Sequence, residues 1–181
     1  MSNSLPQFIP LVSSKNSQPD HSKMIMYLDS SPYPKVSGDN DPATVSMLKS
    51  DYAGASGELT AITQYVFQNG RTTDETLANS ILQIAIVEMM HLDMLGDAIT
   101  TLGGNPSFDD ENYYWNASKV NYVTDIKEIL KADVEAEKTA INNYRKHAAL
   151  TKNQSVKALL ERIIKDEELH LRFFSETLAS M

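Results

Sequence analysis

The chain has 181 residues, enough for one domain with a substantial core. Hydrophobic residues make up 41% and charged ones 22%, an ordinary globular balance, and the net charge of -8 excludes the basic surface that nonspecific nucleic-acid binding needs. The absence of cysteine excludes disulfides, thiolate metal sites and iron–sulfur clusters within the chain; no apolar run is long enough to span a bilayer and no basic-then-apolar signal opens the sequence, so a cytoplasmic location is expected.

Residues 1–41 carry Pro6, Pro10, Pro19, Pro32 and Pro34 among many Ser and Asn, and are predicted to form an irregular extension with a short turn near Lys23–Leu28. Residues 42–181 are predicted to be all-helical. Asp41-Pro42 is a helix start, with Asp as N-cap and Pro at the first helical position. Helix one then runs to about Asn69, stopped by Gly70. Thr72 and Glu75 resemble a capping box opening helix two, which ends near Leu102 before Gly103-Gly104-Asn105-Pro106. Helix three starts around Thr124 and fades near Leu150; helix four follows Asn153 and runs almost to Met181.

Apolar spacing is helical throughout: Leu48, Ala55, Ile62 and Tyr65; Leu77, Ile81, Ile84 and Leu95; Ile126, Leu130, Val134, Ile141 and Tyr144; Val156, Leu160, Ile163 and Phe174. Links of about three residues make helices one and two an antiparallel pair, and three and four another. The central link of about twenty residues reaches ~66 Å, further than a helix of ~27 residues is long (~40 Å). The fold expected is therefore a four-helix bundle of two antiparallel pairs joined by one long crossover.

An internal repeat carries the chemistry. Glu58–Tyr65 reads ELTAITQY and Glu137–Tyr144 reads EKTAINNY, five identities in eight at an offset of 79. The same offset carries Glu88 onto Glu167 and His91 onto His170, so a Glu-x-x-His pair occurs twice. Each of these residues continues the apolar stripe of its helix, which places four Glu and two His in the bundle interior. Buried ionised carboxylates cost several kcal/mol each, and crowding them raises their pKa values further. Two divalent cations would balance the four negative charges. One Glu plus one Glu-x-x-His, supplied twice, is the di-iron or di-manganese carboxylate ligand set, and the imidazoles disfavour calcium.

By the symmetry of the repeat, Glu58 and Glu137 are expected as terminal ligands, Glu88 and Glu167 as bridges, and His91 and His170 as one nitrogen ligand each. These six are also the candidate catalytic residues. Tyr65 and Tyr144, two turns beyond Glu58 and Glu137, and Asp166 are candidates to hydrogen-bond and orient the ligands. Glu135 and Glu168 fall off the stripe and are expected in solvent, and His21 and His147 on the surface or in loops. Met89, Met90 and Met94 are expected to fill packing gaps.

Over residues 43–180 these segments resemble the ferritin-like superfamily. ELTAITQY and IVEMMHLDML are similar to the first two ligand segments of bacterioferritins. DVEAEKTAINNYRK and DEELH are similar to the third and fourth ligand segments of bacterioferritins and rubrerythrins. YYWNASKV followed by DIKEILKADVEAEKTA is similar to the manganese-catalase and spore-coat catalase-like group, as is the short PYP at Pro32–Pro34. The resemblance implies a ferritin-like bundle with an oxidoreductase centre of two Fe ions reacting with O2 or hydrogen peroxide, as a ferroxidase or peroxidase active in oxidative stress. The alternative it implies is a manganese-catalase-like centre of two Mn ions that disproportionates hydrogen peroxide. A further alternative is an iron-storage or spore-coat structural protein. Met89 matches the haem-ligand position of bacterioferritins, but packing is its expected role and haem is not expected; the Cys-rich module of rubrerythrins is absent. The expected partners are O2 or peroxide and an electron donor left open, with neither nucleic acid nor membrane. A homodimer or larger homo-oligomer is expected, with the N-terminal extension wrapped around a dimer.

Overall fold

The computed structural model describes residues 27–181. Five α-helices account for the bundle: α1 (Pro42–Ala53), α2 (Glu58–Arg71), α3 (Glu75–Thr101), α4 (Ile126–Leu150) and α5 (Gln154–Ala179). Residues 72–74 join α2 to α3 and residues 151–153 join α4 to α5, so each pair is an antiparallel hairpin. Residues 102–125 form the crossover, with a short 3-10 turn at Ala117–Lys119. Among the described residues no strand forms beyond an isolated bridge between Asp109 and Tyr114.

The first predicted helix is in fact two. Gly54-Ala55-Ser56-Gly57 interrupts it, and the freed backbone is satisfied locally: the Gly57 N–H donates to the Gly54 carbonyl (3.2 Å), which also accepts from Thr60 Oγ1 (2.9 Å). A Cβ on Gly57 would come within 2.4 Å of the Asp51 carbonyl oxygen, so the bend needs glycine for close backbone approach. Ala55, expected in the core stripe, is exposed because it lies in this bend. The start at Asp41 is as expected, with its carboxylate accepting from the Thr44 N–H at 3.1 Å and Pro42 at the first helical position. The cap of α3 is Asp74, which accepts from the backbone of Thr76 and Leu77; Thr72 instead donates back to the Gln68 carbonyl, closing α2. A short polar side chain one residue from the helix start outcompetes the more distant threonine.

The core divides into two apolar clusters. One gathers Leu48, Leu95, Ile99, Ile141, Leu160 and Ile163. The other gathers Tyr65, Ile81, Ile84, Leu130, Val134 and Phe174. On α3, α4 and α5 the polar residues of the repeat fall in sequence between these clusters, so apolar packing closes the polar layer at both ends. The expected turn at 23–28 lies largely, and His21 wholly, outside the described residues. The described part of the extension, residues 27–41, lies along the chain's own α5 and runs antiparallel to it. Tyr27 meets His170, Asp29 meets Asp166, the Ser31 carbonyl accepts from Arg162, and the Ser37 carbonyl accepts from Asn153 and Ser155.

Candidate dimetal centre

Of the four helices that supply the ligand-type residues, α3, α4 and α5 deliver them from the middle of a long run. Glu58 is the first residue of α2, because the glycine bend ends just before it. Its carboxylate therefore sits at a helix N-terminus, where the backbone dipole favours negative charge. The repeat is thus equal in residues and unequal in backbone.

Six side chains converge. Glu58, Glu88, His91 and Glu167 place one donor atom each within 4.8 Å of one another, and so do Glu88, Glu137, Glu167 and His170. Glu88 and Glu167 belong to both groups, and each divides its two oxygens between the imidazoles. His91 Nδ1 lies 2.9 Å from Glu88 Oε2 and 3.1 Å from Glu167 Oε1; His170 Nδ1 lies 3.0 Å from Glu88 Oε1 and 3.4 Å from Glu167 Oε2. Glu58 Oε1 is 3.6 Å from His91 Nδ1, and Glu137 Oε1 is 3.9 Å from His170 Nδ1. All six are at least 96% buried, the least so Glu58 at 4% exposure.

The electrostatics are those of a compensated cluster. Burial, then the charges of Glu88 and Glu167, push the Glu58 carboxyl well above the usual range; burial with Glu167 and Glu88 does the same to Glu137. Burial pushes the His170 imidazole down, but Glu88 and Glu167 outweigh it and hold its pKa up at about 10. His91 is raised too, as hydrogen bonds to Asp166, Glu167 and Glu88 overcome its burial. Burial opposes ionisation of Glu167, yet the two imidazoles hold its pKa below the usual range. Several contacts are close without being aligned: Glu167 Oε1 and His170 Nδ1 are buried with no hydrogen-bond partner. Unsatisfied buried polar atoms at the centre of an otherwise paired cluster are the kind of donors a cation would take, since a cation needs no N–H direction.

Tyr65, Tyr144 and Asp166, the candidates for orienting the ligands, each hydrogen-bond a residue of the cluster. Tyr65 donates to Glu137 Oε1 (2.5 Å) and Tyr144 donates to Glu58 Oε1, so each tyrosine reaches the carboxylate of the other hairpin. Asp166 Oδ2 pairs with His91 Nε2 at 3.1 Å. It also accepts from Arg162 Nη1 (2.8 Å) and the Tyr33 hydroxyl, while Oδ1 accepts from the Asp29 N–H. His170 Nε2 donates to the Tyr27 carbonyl at 3.0 Å.

Sequence reasoning missed Tyr27, Tyr33 and Arg162. Arg162 was findable, as an arginine on the α5 core stripe one turn before Asp166. His147, expected at the surface, is buried and hydrogen-bonds Asp51 Oδ2 at 2.7 Å. It follows Tyr144 by three residues on the same helix face, and the carboxylate that satisfies it comes from a different helix. Asp133, one turn before Glu137, is buried and accepts from Gln64 and Gln68. Glu135 and Glu168 are exposed and pair with Lys138 and Arg145, as expected. Met89, expected to pack, is 43% exposed, whereas Met94 packs against the core.

A cavity of about 90 Å³ reaches the cluster from one side. All four carboxylates line it, with Gly57, Ala61, Ala136 and Ala140 leaving room and Lys119 of the crossover at its edge. The crossover is held over α1 and α2 by Lys49–Asp109 (2.6 Å), Trp115 Nε1 to Thr60 Oγ1 (3.0 Å) and the Asn121 N–H to Gln64 Oε1 (3.1 Å). No helix among the described residues is long and apolar enough to cross a membrane.

Comparison with known proteins agrees with this fold. A probable manganese catalase from Clostridium acetobutylicum is 24% identical over 166 residues, covering 80% of this chain and 73% of that protein. A bacterioferritin from Desulfovibrio desulfuricans is 32% identical over 123 residues, covering 65% of each chain. The crystal structure of a manganese catalase from Anabaena PCC7120 superposes with a TM-score of 0.77 at 27% identity, covering 84% of this chain and 78% of that one. Residues 55–181 match the family described as the ferritin-like domain, and the chain belongs to that family.

Proposed function

We propose that Glu58, Glu88, His91, Glu137, Glu167 and His170 hold two Fe or Mn ions, and that the protein is an oxidoreductase acting on hydrogen peroxide or O2 at that centre. The observation that carries the reading is the pair of four-residue donor groups sharing Glu88 and Glu167. Two such ions, when bound, supply reversible one-electron changes at each position. The residues do the rest. Glu58 with His91, and Glu137 with His170, define the two positions. Tyr144 and Tyr65 fix the terminal carboxylates from across the bundle. Two apolar clusters exclude water from both ends, and the small cavity admits a diatomic or peroxide-sized molecule to the carboxylate side.

Peroxide disproportionation is the better supported of two reactions. It needs no electron donor, since one peroxide is oxidised to O2 and another reduced to water. The sequence match to the Clostridium acetobutylicum manganese catalase also spans more of this chain than the bacterioferritin match does, 80% against 65%. Oxidation of Fe(II) by O2 is the second reading, favoured by the higher identity to the bacterioferritin. Metal-free protein loaded anaerobically with Mn(II) or with Fe(II) separates them. Oxygen evolution from peroxide by the Mn form supports the first; rapid Fe(II) oxidation without oxygen evolution by either form supports the second. If neither form does either, the oxidoreductase reading fails. A homodimer or larger homo-oligomer and a cytoplasmic location belong to the same proposal, and light scattering and cell fractionation test them.

A further inference from the structure

The 79-residue repeat supplies both halves of the centre with the same ligand types, but the atoms behind the two imidazoles differ. His91 Nε2 faces the buried carboxylate of Asp166 at 3.1 Å. His170 Nε2 faces a neutral backbone carbonyl, that of Tyr27, at 3.0 Å. One repeat away from Asp166 stands Val87, which is apolar and fully buried, so the second half has no carboxylate to match. The extension contributes to both arrangements. Tyr27 gives its carbonyl to one imidazole; Asp29 and Tyr33 hold the carboxylate that serves the other. Arg162 locks the extension down, donating to the carbonyls of Ser31 (2.6 Å) and Asp29 (2.5 Å), with its guanidinium 4.0 Å above the Tyr33 ring. These residues precede the family match, which begins at residue 55.

We propose that residues 27–33 are a working part of the centre and make its halves chemically unequal, so that the His91 half binds a divalent cation more tightly than the His170 half. The inference rests on the dimetal reading above. An anionic acceptor draws the imidazole N–H proton toward itself and enriches the opposite nitrogen, which makes that nitrogen the stronger metal donor; a neutral carbonyl does this less. Asp166 is the positioning residue, and Tyr33 is the group from the extension that keeps it aimed.

The test is stepwise addition of Co(II) to the full-length metal-free protein, followed by calorimetry and visible absorption. Two ions should bind in two steps of unequal affinity. Asp166→Asn should weaken the tighter step alone, by roughly 10–100-fold, bringing the two constants together. Tyr33→Phe should weaken the same step by a smaller factor. Thermal melts establish that each variant folds, and if Asp166→Asn does not, Tyr33→Phe carries the test. Equal constants in the wild type, or variants that weaken both steps alike or neither, would overturn the inference while leaving two bound ions in place. Binding of fewer than two ions would overturn the dimetal reading, and the inference with it.

Discussion

Tyr65 and Tyr144 show how much one side chain is asked to do at this centre. Each lies seven residues beyond a glutamate of the cluster, Glu58 or Glu137, on its own helix, ~10 Å along the axis, too far to reach it. Each instead donates to the glutamate of the opposite hairpin. Replacing either by Phe leaves a buried carboxylate short of a donor, a loss of ~1–3 kcal/mol. It should also speed metal loss to a chelator, reflecting an affinity lower by roughly 10–100-fold; unchanged release would contradict the assigned role. Asp133 gives a second expectation. Burial lifts its carboxyl from 3.8 to about 7, against the hydrogen bonds from Gln68 and Gln64. A raised pKa means the folded chain holds a proton that the unfolded chain releases. The stabilisation is therefore complete below about pH 4 and lost as pH rises through 7, an effect of up to about 4 kcal/mol. The metal-free wild type should lose melting temperature between about pH 4 and about pH 7, and Asp133→Asn should lose less; equal slopes would refute it. Residues of the repeat were legible because a polar residue on an apolar helical stripe stands out. Asp133 and His147 were not, because their partners come from other helices and no spacing rule joins them.

At the scale of elements, loop lengths were enough to give two antiparallel hairpins and a crossover, since a three-residue link allows nothing else. The break at residues 54–57 was not read from the sequence. Two glycines three apart are tolerated inside many helices, and only the packed structure shows that a Cβ on Gly57 would strike the Asp51 carbonyl. That break puts Glu58 at a helix start. Gly57→Ala should destabilise the fold by ~1–3 kcal/mol in chemical denaturation and weaken metal binding at the Glu58 side. Full stability would mean the bend is dispensable. The extension was legible as irregular from its prolines, but not as a part of the centre. Its role depends on the backbone of Tyr27 and Asp29, which carries no signature in side-chain identity, and on one tyrosine hydroxyl, that of Tyr33, whose partner Asp166 lies far along the chain.

For the whole molecule, the layout is a bundle that closes apolar clusters above and below a polar layer, opens it on one side through a small cavity, and seals the imidazole side with its own N-terminal segment. A layer with four carboxylates is unfavourable without cations, so bound metal should raise the melting temperature and chelation should lower it. The most direct measurement is metal content by elemental analysis after anaerobic loading and desalting, for the wild type and for Glu88→Ala combined with Glu167→Ala. Two Fe or Mn per wild-type chain, and near none in the double variant with its helical content intact, is the predicted result. Wild-type protein that retains no metal, or a double variant that retains as much as the wild type, would contradict a dimetal centre built on these residues.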